Sequence, residues 1–110
     1  MGPDYHHLRF EGVLDIGRYP EFRGAFERLP RATPVLVDLT AAEGVDSVFL
    51  SELMLARRRH EAPLAILIAP TGSVARVFGI ANFARPYVFA DLSEALASLG
   101  PAPENDPIAD

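Results

Sequence analysis

The chain contains no cysteine and no lysine. The first absence excludes disulfides and thiolate chemistry. The second excludes a Walker-type phosphate loop, a Schiff base and a lysine general base. Long apolar runs are also missing. The longest, Leu64 to Pro70, falls far short of the ~20 residues that span a bilayer. Met1 to Arg9 carries no apolar core of a secretory leader, so a cytoplasmic protein is expected.

What is present suits one folded domain. The chain has 110 residues, 49% of them hydrophobic. All ten basic residues are arginine, and the net charge is -5. Leu8 to Leu99 holds ten arginines against eleven Asp and Glu, a net of -1. The remaining acids, Asp4, Glu104, Asp106 and Asp110, lie near the two ends. A nearly neutral body without a basic stripe argues against a nucleic-acid binder.

Periodicity divides the body into alternating strands and helices. His7 to Phe10 reads as a strand that Val13 and Leu14 extend, before a turn at Asp15 to Gly17. Pro20 suits a first helical turn, and Phe22, Ala25, Phe26 and Leu29 recur at helical spacing until Pro30. Val35 to Leu39 is short and apolar, as a buried strand should be. Thr40 to Asp46 reads as a loop. Ser47 suits the N-cap of a second helix, whose face is Leu50, Leu53, Met54 and Arg57, with Arg57 to Arg59 in the last turn. Leu64 to Ala69 reads as another buried strand. A third helix follows, capped by Thr71 or Ser73 and ended by a left-handed Gly79. Tyr87 to Phe89 is a last strand. Asp91 and Glu94 open a final helix to Leu99 as a capping box. Gly100 to Asp110, rich in proline and acid, is expected to be disordered. The alternation implies an α/β fold with a mostly parallel sheet of four to five strands and four helices.

In such folds, functional groups collect where strands end and helices begin. Asp15, Asp46 with Ser47, Thr71 with Ser73, and Asp91 meet this condition. Ser47 has two readings. As a cap it contributes about 1 kcal/mol. As a phosphoacceptor it would add about -1.5 to -2 charge beside Asp46 and Asp15. Asp15 and Asp46 also have a plain role in shaping turns. His6, His7 and His60 lack a third ligand at metal-binding spacing and read as solvated. Phe78, Phe83, Tyr87 and Phe89 read as core and lip packing rather than a stacking platform. Phe49, an aromatic in the first turn of the second helix, is expected at the surface as a partner contact. No residue set reads as catalytic, and no cofactor or metal is implied.

The residues resemble a known family. Gly12-Val13-Leu14-Asp15 is similar to its G-x-L-D turn, Val35 to Leu39 to its strand ending in Asp-Leu, and Val45-Asp46-Ser47 to its helix start. Leu64 to Pro70 with Val74 to Ile80 is similar to its next strand and helix. Asp91 to Leu96 is similar to its closing x-x-x-E-A-L segment. This is the STAS domain of anti-sigma factor antagonists, and the resemblance runs from Leu8 to Leu99. Val48 and Phe49 stand where that family carries a small polar residue and a glycine.

The resemblance implies partner switching. An antagonist of this kind binds an anti-sigma factor, often a serine kinase of the ATPase type, and releases the sigma factor. Phosphorylation of the helix-start serine ends that binding, and a phosphatase restores it. Carried over, Ser47 is the phosphoacceptor, and Asp15 and Asp46 shape the docking surface. A second reading is an interaction or sensor module without phosphorylation, such as a subunit of a lipid-transport complex or a small-ligand binder, with Phe49 as its apolar anchor. An enzyme is the third and least supported reading.

Overall fold

A computed structural model describes residues 5–30, 32–80 and 87–100. The expected disordered tail therefore lies outside the described residues beyond Gly100, and so does Phe83. In chain order the elements are β1 (His6–Arg9), β2 (Gly12–Leu14), a 3-10 turn (Ile16–Arg18), α1 (Tyr19–Glu27), β3 (Val35–Asp38), β4 (Ala42–Val45), α2 (Ser47–Arg59), β5 (Leu64–Leu67), α3 (Ser73–Ile80), β6 (Val88–Phe89) and α4 (Leu92–Leu99). The chain is an α/β domain, and every strand pair among the described residues is parallel. No helix of the described residues is long and apolar enough to cross a membrane.

Two sheets form. One has the order β1-β3-β5-β6; the other pairs β2 with β4. The first expected strand is therefore two strands. Gly12 sits at φ 79°, a conformation glycine adopts without steric cost, and the chain bends there away from β3. β2 then pairs with β4, a strand that the expected Thr40–Asp46 loop conceals. Ala42-Glu43-Gly44-Val45 has little intrinsic strand preference, so the pairing comes from β2 rather than from the segment itself.

β3 and β5 are buried along their whole length, because helices cover both faces of the sheet. On one face Val35, Val37, Leu39, Leu64 and Ile66 meet Phe22 of α1, Phe49, Leu50 and Leu53 of α2, and Val74 and Phe78 of α3. On the other, Leu36, Ala65 and Leu67 meet Ala95 and Leu99 of α4. The strand alternation assigns each side chain to its face.

Phe49 belongs to the first core, contrary to the expectation of surface exposure. Its exposure is 0%. Its ring lies 4.9 Å from Phe22 and 6.2 Å from Phe10, both in edge-on contact. The cause is helical position: Phe49 precedes Leu53 by one turn and so shares its inward face. A partner contact through this ring is not available at the surface.

The cap of α2 is also shifted by one residue. Asp46, not Ser47, is the N-cap, and its Oδ1 accepts from the Phe49 N–H at 2.7 Å. Asp46→Ala is therefore expected to cost about 1 kcal/mol in urea unfolding, and Ser47→Ala less than about 0.5 kcal/mol. Equal losses would return the cap to Ser47. In α4 the expected cap holds, with the Glu94 N–H donating to Asp91 at 3.0 Å. In α3, Ser73 is the first residue, and its hydroxyl donates to the Glu43 carbonyl at 2.5 Å. Gly79 lies within α3 and is not left-handed, so the expected glycine stop is absent there.

Candidate functional site

The register of β2 and β4 assembles the candidate site. Leu14 pairs with Val45, and the Asp46 N–H donates to the Leu14 carbonyl at 3.2 Å. Asp15 and Asp46, 31 positions apart in sequence, thus leave the ends of adjacent strands together. The Ser73–Glu43 bond ties the start of α3 to β4 on the same rim. Asp91 is separate: it follows β6 at the far edge of the four-stranded sheet and caps α4.

Local bonds hold each part of the rim. Asp15 accepts from the Gly17 N–H at 3.0 Å, which shapes the turn as expected. Arg18 then closes the outer edge of β2. Its Nη1 donates to the carbonyls of Glu11 (2.9 Å) and Val13 (3.2 Å), which face away from β4. Its Nε and Nη2 donate to Glu21 at 2.6 and 3.1 Å. That pairing, above all the hydrogen bond, raises the Arg18 pKa and lowers that of Glu21. A covered edge does not recruit a further strand.

Ser47 is exposed at the head of α2. Because Asp46 caps the helix, the Ser47 hydroxyl makes no hydrogen bond among the described residues; only its carbonyl is engaged, by Ser51. Three large apolar side chains on the segments around it are exposed: Val13 (55%) in β2, Ile16 (65%) in the 3-10 turn that follows β2, and Val48 (43%), next to Ser47 in sequence. A Cβ built on Gly44, the partner of Val13, would meet nothing within 4 Å, so the surface is open there. Among the described residues the rim therefore combines acids, a hydroxyl without a hydrogen bond and exposed apolar side chains. Tyr19 borders it: burial pushes its phenol pKa up, and the charges of Glu52 and Asp46 act the same way.

A second cluster escaped the sequence. Asp38, at the end of β3, is 6% exposed. It accepts from the Thr40 N–H at 2.9 Å and the Thr40 hydroxyl at 2.6 Å, and it pairs with His7 Nε2 at 2.8 Å. His7 is thus not simply solvated. His60 is not either: its Nε2 meets the Thr33 carbonyl at 2.5 Å, and its ring is edge-on to Phe26. Burial pushes the Asp38 pKa up; the two Thr40 bonds and then His7 pull it down, and the net shift is downward. A depressed folded-state pKa adds stability that is complete above the unfolded pKa, near 4, and is lost as pH falls through the folded value. The stability gap between the native chain and Asp38→Asn should be widest at pH 7 and shrink below about pH 4. Urea midpoints across that range measure it, and a constant gap refutes the assignment.

Among the described residues no group of three or more His, Cys, Asp or Glu side chains is arranged to hold a metal. A cavity of about 440 Å³ opens between α1 and α2, lined in part by Phe22, Phe26, Leu55, Arg59 and His60. None of Asp15, Asp46 and Ser47 lines it. No family model, curated protein or solved structure matches the chain.

Proposed function

We propose that this chain is a partner-switching regulatory domain of the anti-sigma factor antagonist kind, with Ser47 as its phosphoacceptor. The observation that carries the reading is the Ser47 hydroxyl, without a hydrogen bond among the described residues and exposed at the head of α2 while Asp46 supplies the cap. A kinase could take this hydroxyl without breaking a bond that holds the fold. The resemblance of Gly12–Asp15 and Val45–Ser47 to the STAS pattern supports it, as does the meeting of those segments in one strand pair.

In this reading the domain performs no chemistry of its own and works in the cytoplasm. Its partners are an anti-sigma factor that is a serine kinase of the ATPase type, and a phosphatase that resets it. The unmodified rim docks through Val13, Ile16 and Val48, with Asp15 and Asp46 setting register. A phosphate on Ser47 would add about -1.5 to -2 charge beside two carboxylates and repel an acidic or apolar partner.

The test is phosphorylation by a serine kinase of the ATPase type encoded beside the chain, with ATP, followed by site mapping. Phosphate on Ser47, absent from Ser47→Ala, is the expected result. Phosphate elsewhere, or none, defeats the assignment. The same apolar trio also supports an interaction module without phosphorylation, in which Val13, Ile16 and Val48 take the anchoring role expected of Phe49. Tight partner binding with no modification of Ser47 would favour that form.

A further inference from the structure

The last turn of α2 carries Arg57, Arg58 and Arg59. They are not equivalent. Arg58 and Arg59 are exposed, whereas Arg57 is half-buried. Its guanidinium lies over the Tyr87 ring, with Cζ 4.3 Å from the centroid. Its Nε is buried and has no hydrogen-bond partner among the described residues. The ion pairs of the described residues involve other arginines, so among those residues no carboxylate pairs with Arg57. Beside it opens a cleft of about 190 Å³ lined by Arg57, Pro63, Leu64, Tyr87 and Ser98.

Stacking satisfies the face of a guanidinium but not its donors, which lie in its plane. A charged donor held from water without an acceptor is costly, and such groups are normally met by a side chain, a water or an ion. Among the described residues no side chain supplies an acceptor to Arg57 Nε. Ser98 already donates its hydroxyl to the Ala95 carbonyl at 2.7 Å. Among the described residues the cleft lining contains no acid. Arg58, the next residue, adds positive potential.

We propose that the Arg57–Tyr87 cleft binds a small oxyanion of the phosphate class, held by the in-plane N–H donors of Arg57. The cleft lies at the start of β5 and ahead of β6, whereas Ser47 follows the end of β4. It stands or falls apart from the Ser47 reading.

The experiment is a titration of the native chain with inorganic phosphate, read from the side-chain Nε–H resonance of Arg57 and the Tyr87 amide by NMR. Saturable shifts at both positions are expected, with sodium chloride of matched ionic strength as the control. Arg57→Gln should weaken binding at least about 10-fold, and Arg57→Lys should fall between, because an ammonium cannot fork two oxygens. Equal shifts with chloride would mark an adventitious ion only and overturn the proposal. So would unchanged phosphate affinity in Arg57→Gln. The Arg57 resonance of the native chain decides the matter even without a variant.

Discussion

Phe49→Ala is expected to remove about 3–5 kcal/mol of folding free energy, the range for deleting a fully buried phenylalanine. The ring has no exposed area, and it forms an aromatic cluster with Phe10 and Phe22. It sits where β1 ends and where α1 and α2 approach the sheet, so three elements border the void that alanine would leave. A domain of this size holds only about 5–15 kcal/mol in total. The variant would be marginal, with its thermal midpoint lower by roughly 12–20 °C. Phe49→Leu refills most of the volume and should cost about 1–2 kcal/mol. Urea unfolding followed by circular dichroism measures both. A loss below about 1 kcal/mol for alanine would return the ring to the surface and restore its role as a docking anchor.

The misplacement of Phe49 shows what periodicity can reach. The inward face of α2 is legible from Leu50, Leu53 and Met54, and one step back at helical spacing adds Phe49. Comparison with a family glycine pointed outward instead, yet an aromatic at that position follows its own hydrophobicity into the core. Leu64 to Leu67 and Val35 to Asp38 were legible because burial on both faces leaves an uninterrupted apolar run. β4 was not, since Glu43 and Gly44 carry no strand signal, and its partner is 30 residues away. Non-local pairing of this sort is written in neither segment alone.

The site was half legible for the same reason. That Asp15, Asp46 and Ser73 stand at element boundaries follows from local signals. That the first two leave one strand pair, and that Ser73 reaches Glu43, follows only from the register. The cap of α2 was ambiguous between neighbours, because aspartate and serine are equally good caps and only backbone geometry separates them. Asp38 and His7 were invisible as a pair: alternation says which way each points, not that β1 and β3 are neighbours.

Under the proposed partner-switching reading, Ser47→Asp is expected to weaken binding to a kinase partner by about 10- to 100-fold while leaving the domain folded. The two effects have opposite signs, which makes the experiment discriminating. In the first turn of α2, a carboxylate faces free backbone N–H groups and the positive end of the helix, a gain of about 0.3–1 kcal/mol. At the proposed docking surface the same charge joins Asp46 and Asp15 and would have to be desolvated beside Val13, Ile16 and Val48. Repulsion and desolvation of about 1.4–2.8 kcal/mol correspond to the stated loss. Ser47→Ala removes only a hydroxyl without a bonding partner among the described residues and should bind like the native chain. The electrostatic share is screened once the Debye length falls to about 3 Å at 1 M salt, so the gap between the two variants should narrow there. Calorimetric titration at low and high salt measures all of this. Equal affinities of Ser47→Ala and Ser47→Asp at low salt would mean that this rim does not switch partners by charge, however well Ser47 is phosphorylated.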